Sequence, residues 1–121
     1  MSKWVLLATL LVMVIRVNGQ TDPYLMGRAF MEKERFDSAL LYMEQALTER
    51  PGDAEILYQL GLCHFTLQNY PGAHDAFHEV EQRRKGMASF YLAKTNVKLN
   101  HPLQALKYLR IHLNSRYRVS E

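Results

Sequence analysis

At 121 residues the chain has room for one domain, and 48% apolar with 22% charged residues excludes a disordered polymer. Six glycines and four prolines are too few for a turn-rich β-sandwich, and the single cysteine, Cys63, excludes an internal disulfide framework. The formal charge of +3 conceals a division: residues 20–82 carry four Lys/Arg against eleven Asp/Glu, a balance of −7, while residues 83–121 carry nine against one, a balance of +8.

The chain opens with Lys3 and a twelve-residue run, positions 4–15, that is apolar apart from Thr9. A membrane-spanning helix needs about 20 apolar residues, so the run fits the apolar core of a secretory signal. Val17 and Gly19 put small or modest side chains where a signal peptidase reads, predicting a signal peptide over residues 1–19 with cleavage before Gln20. Arg16, directly after the apolar run, departs from that pattern and keeps open an uncleaved anchor through residues 4–15. The absence of a cysteine near the site argues against a lipid-modified N-terminus. The expected destination is outside the cytoplasm: a bacterial periplasm, or alternatively secretion or membrane anchorage.

Asp22-Pro23 then reads as a helix N-cap with proline at the first helical position. Arg50-Pro51-Gly52-Asp53 ends one helical pair and caps the next. Pro71 and Pro102 open further helices, and Arg83-Arg84-Lys85-Gly86 supplies cations and a glycine where a helix C-terminus takes them. The segments also repeat. A shift of 34 brings Gly27 onto Gly61, Phe36 onto Tyr70, Ala39 onto Ala73, Met43 onto Phe77 and Ala46 onto Val80. After a two-residue deletion, Leu92-Ala93 follows Leu60-Gly61, and Ala105 and Leu109 follow Ala73 and Phe77. Each copy holds a small residue (Gly27, Gly61, Ala93) twelve positions before a small alanine (Ala39, Ala73, Ala105), which lets two helices of a hairpin approach closely. Cys63, among apolar neighbours and without a flanking cation, reads as a small core residue.

The pattern resembles the tetratricopeptide repeat (TPR), most clearly in Leu57-Tyr58-Gln59-Leu60-Gly61 followed by Tyr70, Ala73 and Phe77, with Pro51 closing the first copy. Departures are His64 and Asn96 at an aromatic position, Pro102 before the last helix and Lys85 in place of the closing proline. The resemblance implies an all-α fold: three antiparallel helix-turn-helix hairpins, over residues 20–53, 54–85 and 86–119, stacked in a right-handed superhelix behind the apolar N-terminal signal helix. It also implies a scaffold or adaptor, not an enzyme and without a cofactor, that holds a peptide or helix of another protein in its concave groove.

By that resemblance the first helix of each hairpin lines the groove. Tyr24, Arg28 and Met31 come from the first copy, Tyr58, Leu62 and Phe65 from the second, and Phe90, Lys94, Val97 and Lys98 from the third. Tyr24, Tyr58 and Phe90 share one register position and are expected to form an aromatic ladder, a composition suited to binding hot spots. Apolar residues at helical spacing are as readily core. Tyr24 and Arg28 stand where carboxylate-gripping TPR domains carry a lysine-and-asparagine clamp, so that function is not carried over. Arg28, Lys94 and Lys98 favour a ligand segment with acidic residues.

Three other chemistries have weaker signals. His74 and His78, at i and i+4, share a helix face expected to point outward, but lack the glutamate of a metallohydrolase motif, so no metal site is expected. The basic C-terminal third, with Tyr91, Tyr108 and Tyr117, has the composition of a nucleic-acid surface, yet an exported chain rarely meets nucleic acid, and a solvated basic face explains it. The last helix, with Leu103, Leu106, Leu109, Ile111 and Leu113, has no polar capping helix after it and is a candidate for homo-oligomeric or continued stacking. Residues 116–121 read as a linker.

Overall fold

The Asp22 carboxylate accepts a hydrogen bond from the Tyr24 N–H at 3.0 Å, and Pro23 occupies the first turn that this cap begins. Six helices follow in chain order: α1 (Pro23–Glu32), α2 (Phe36–Glu49), α3 (Ala54–Thr66), α4 (Tyr70–Arg83), α5 (Ser89–Lys98) and α6 (Pro102–Tyr117). The computed structural model describes residues 2–7, which are also helical, and residues 21–117. Most of the apolar run, Arg16, the expected cleavage site and the tail from residue 118 lie outside the described residues. Among the described residues no helix is long and apolar enough to cross a membrane.

Each hairpin turns in the same way. Glu34, Gln68 and Asn100 all take a left-handed backbone, with φ of 57°, 63° and 59°. The N–H groups around them close the last helical turn in one pattern: Arg35 to the Phe30 carbonyl at 2.9 Å, Asn69 to His64 at 2.8 Å and His101 to Asn96 at 2.8 Å. No glycine marks these turns; the repeated hydrogen-bond pattern holds them. Asn69 then caps α4 by accepting from the Gly72 N–H at 3.1 Å, which places Pro71 one residue inside that helix.

Close approach within a hairpin comes from the small residues. A Cβ on Gly27 would meet the Met43 side chain at 2.8 Å, and one on Gly61 would meet the Phe77 ring at 2.5 Å. Ala39, Ala73 and Ala105 are buried opposite them. Successive hairpins then join in two layers. In the first-helix layer Tyr91 of α5 packs against Tyr58 and Phe65 of α3, with ring centres 6.1 and 6.0 Å apart. In the second-helix layer the Tyr108 hydroxyl of α6 lies 3.3 Å from His78 Nδ1 of α4. The core runs through the middle of the stack, with Leu57, Phe77, Val80, Leu92 and Tyr108 at its centre.

The joints differ in chemistry. Between α2 and α3, Gly52 is left-handed (φ 74°), and Asp53 caps α3 through the N–H groups of Glu55 and Ile56 at 3.0 and 3.2 Å. Between α4 and α5 the cap residue, Ala88, has no side-chain acceptor. The Glu81 carboxylate ties down the joint just ahead of the helix, accepting from the N–H groups of Gly86 at 2.9 Å and Ala88 at 2.6 Å.

One expectation about the outer layer is corrected here. His74 and His78 do not project outward as a free pair. Their rings stack at 5.8 Å, and His78 touches Tyr108 through Nδ1 and Gln82 through Nε2, the latter at 3.2 Å. Both are partly buried, and the Tyr108 hydroxyl of α6 reaches His78. Among the described residues no cluster of three or more metal-ligating side chains forms.

Candidate functional site

The ten residues expected to line the groove divide into three groups. In the first, Tyr24 and Arg28 are tied to each other and to the next helix. The Arg28 guanidinium donates to the Tyr24 hydroxyl at 3.2 Å, a bond that raises the arginine pKa further, and that hydroxyl lies 3.5 Å from Glu55 Oε1. Arg50, itself paired with Asp22 at 3.3 Å, lies over the same ring at 5.5 Å. Two guanidinium groups thus lie within 6.0 Å of the Tyr24 ring centre, an arrangement that keeps both charges at the surface. Met31 is partly buried beside this group.

In the second group, Tyr58, Leu62 and Phe65 rim the core and are only partly exposed. Burial pushes the Tyr58 hydroxyl pKa up. The expected ladder therefore needs correction: among the described residues no ring contact joins Tyr24 to Tyr58, or Tyr58 to Phe90. The stack instead runs Tyr58–Tyr91–Phe90, with Tyr91 at 6.1 Å from one and 5.5 Å from the other. Tyr91 was absent from the sequence reading of the groove because its flank of α5 faces the preceding hairpin, a direction that the concave-face pattern does not report.

The third group is the exposed one. Lys94 holds its ammonium 5.4 Å from the ring centres of Phe65, Phe90 and Tyr91 together, and Lys98 lies 6.0 Å over Tyr70. Cations held on aromatic faces keep their charge accessible while their stems cover apolar surface. Along the first-helix layer this gives a line of positive charge on rings: Arg28 and Arg50 at Tyr24, then Lys94 and Lys98.

Phe90, Lys94 and Val97 also belong to a second feature. With Ala93 they form one wall of an apolar groove of about 440 Å³, whose other wall is Pro102, Ala105, Leu106 and Leu109 of α6. The helix expected to lack a cap and the last part of the expected groove are thus one continuous surface. Its exposure has a specific cause. Met43 and Phe77, each followed by another hairpin, are 0% exposed, whereas Leu109, in the same register with no further hairpin after it among the described residues, is 40% exposed. Val97 is 64% exposed for the same reason.

The aromatic side chains weighed for nucleic-acid binding are used elsewhere. Tyr108 is buried against His78 and Tyr91 is enclosed by Tyr58, Phe65 and Phe77, so neither offers a face to a base. The Tyr117 side chain lies outside the described residues. Cys63 is fully buried in α3 with its thiol pushed up to about 11 by desolvation, the state of an inert core cysteine.

Comparison with known proteins agrees with this geometry. The tetratricopeptide-repeat family model matches residues 24–88, more than half of the chain. The chain belongs to the tetratricopeptide-repeat family, whose members generally bind other proteins. Among solved structures it is similar to one titled MamA AMB-1 (P212121 form), with a TM-score of 0.73 at 15% identity. The match covers 88% of this chain and 60% of that one, so this chain spans under two-thirds of the matched structure. At that identity the likeness is one of fold: antiparallel hairpins in a right-handed superhelix. No curated protein sequence matches the chain.

Proposed function

We propose that this chain is an exported scaffold whose first-helix face holds an acidic, partly apolar segment, extended or helical, of an envelope or secretory-pathway protein. The observation that carries the reading is the line of cations seated on aromatic rings, Arg28 and Arg50 at Tyr24, Lys94 on Phe65, Phe90 and Tyr91, and Lys98 on Tyr70. Each cation offers charge to a carboxylate while the ring edges beside it accept apolar side chains. Export rests on the apolar run after Lys3 and the small residues at positions 17 and 19.

The segment's acidity is the testable part. Glu/Asp-rich amphipathic peptides titrated into the protein by calorimetry are expected to bind, and Lys-rich peptides of the same apolar pattern are not. Lys94→Glu with Lys98→Glu is expected to weaken the acidic peptides at least about tenfold, the scale of a hot-spot loss. Equal binding of both peptide classes, or indifference to the double charge reversal, sinks the reading.

A further inference from the structure

The end groove is shaped for one kind of occupant, and the chain itself supplies that occupant. Inside the stack, Tyr91 is gripped by Tyr58, Phe65 and Phe77 at 6.1, 6.0 and 5.6 Å between ring centres. Moving that trio forward by the 32-residue register of the last repeat gives Phe90, Val97 and Leu109. All three are exposed and all three line the end groove. The groove therefore repeats the socket that the second hairpin uses to hold the third, its lining exposed among the described residues.

The matching plug is at the other end. Tyr91 stands in register with Leu25 of α1, which is 59% exposed, with no hairpin before it among the described residues. Leu41 of α2, on the same terminal hairpin, is 67% exposed. By the same registers, Tyr42 and Arg110 hold the positions of Tyr108 and His78, which meet in the second layer. Charge favours the pairing. Residues 86–117 carry five Lys/Arg and no acid, whereas residues 21–53 carry seven Asp/Glu against four Lys/Arg.

We propose that a second copy of this chain seats its first hairpin in the groove between α5 and α6, with Leu25 among Phe90, Val97 and Leu109, so that copies stack head to tail and continue the superhelix. This is a heterologous contact between unlike surfaces. It does not close on two copies, so it builds chains whose length rises with concentration. It also covers the apolar end that a capping helix otherwise covers in a repeat protein. The first-helix faces of successive copies then form one extended surface, so the self-association goes beyond the segment binding proposed above and shares with it only Phe90 and Lys94, at the border of the two surfaces.

Sedimentation velocity on the purified full chain tests the stacking. Species larger than one copy should grow with concentration at low salt and recede at about 0.5 M salt, where exposed charges are screened. Leu109→Glu blocks the socket and Leu25→Lys blocks the plug. Both positions are exposed, so helical circular dichroism should be unchanged, and Val97→Glu repeats the socket arm at a second site. Each variant alone should sediment as a single copy. An equimolar mixture of a socket variant with Leu25→Lys should form a 1:1 dimer and nothing larger, since one good plug and one good socket remain. A wild-type chain that stays single at every concentration overturns the proposal. So does assembly that survives Leu25→Lys, as in a symmetric groove-to-groove dimer, or a mixture that fails to pair.

Discussion

Asn96 occupies the position that holds Phe30 in the first repeat and His64 in the second. It is fully buried, its Nδ2 donates to the Leu92 carbonyl at 2.8 Å, and its Oδ1 has no partner among the described residues. A buried acceptor without a donor costs about 1–3 kcal/mol. Asn96→Leu keeps the branched shape and the number of heavy atoms and removes the orphan, so it is expected to stabilise the fold by about 1 kcal/mol, read as a higher urea midpoint at unchanged slope. Cys63 gives a pH signature in the same core. Its folded pKa of about 11 lies above the ordinary 9.0, so between those values the folded chain keeps a proton that the unfolded chain has lost. Stability should therefore be intact below about pH 9 and fall towards pH 11, by about 2–3 kcal/mol from this thiol. Tyr58 and Tyr108, whose pKa values burial also raises, act in the same direction. Urea unfolding across this range should show a shallower decline in Cys63→Ala.

At the scale of elements, the joint that leads into the third hairpin is held by a side chain of the helix before it. Glu81, on α4, accepts from the N–H groups of Gly86 and Ala88 just ahead of α5, whose N-cap residue, Ala88, offers no side-chain acceptor. Glu81→Ala is expected to cost about 1–3 kcal/mol, because charge-assisted bonds to two backbone donors are lost together. Hydrogen exchange should localise the loss to the start of α5 and leave α1 and α2 protected. The helices and their pairing were legible because steric demand repeats. Gly27, Gly61 and Ala93 face Met43, Phe77 and Leu109 at fixed spacing, and only small residues allow that approach. The turns were not legible, since Glu34, Gln68 and Asn100 are left-handed without being glycine, and a hydrogen-bond pattern that spans six residues sets them. Glu81 was hidden for a similar reason: its partners are five and seven residues away, across a turn outside any helix-capping box.

At the scale of the whole molecule, the uneven charge reads as polarity along the stack, acidic hairpins first and a basic hairpin last. The sequence identified the open end through its leucines and the expected groove through Phe90, Lys94 and Val97. That these are one surface became visible only with α5 and α6 side by side, because the register that joins them comes from the twist between hairpins. Tyr91 stayed hidden until then for the same reason. The central claim is that the first-helix face holds an acidic segment of another protein. Site-specific photocrosslinking in the native compartment tests it most directly, with the photoreactive residue at Tyr58 on the first-helix face and, for comparison, at the exposed Gln82 on α4. Capture from position 58 should give one acidic segment, identified by mass spectrometry, and should vanish in Lys94→Glu/Lys98→Glu. Capture of that segment equally from position 82, or its persistence in the double charge reversal, would place the binding surface elsewhere.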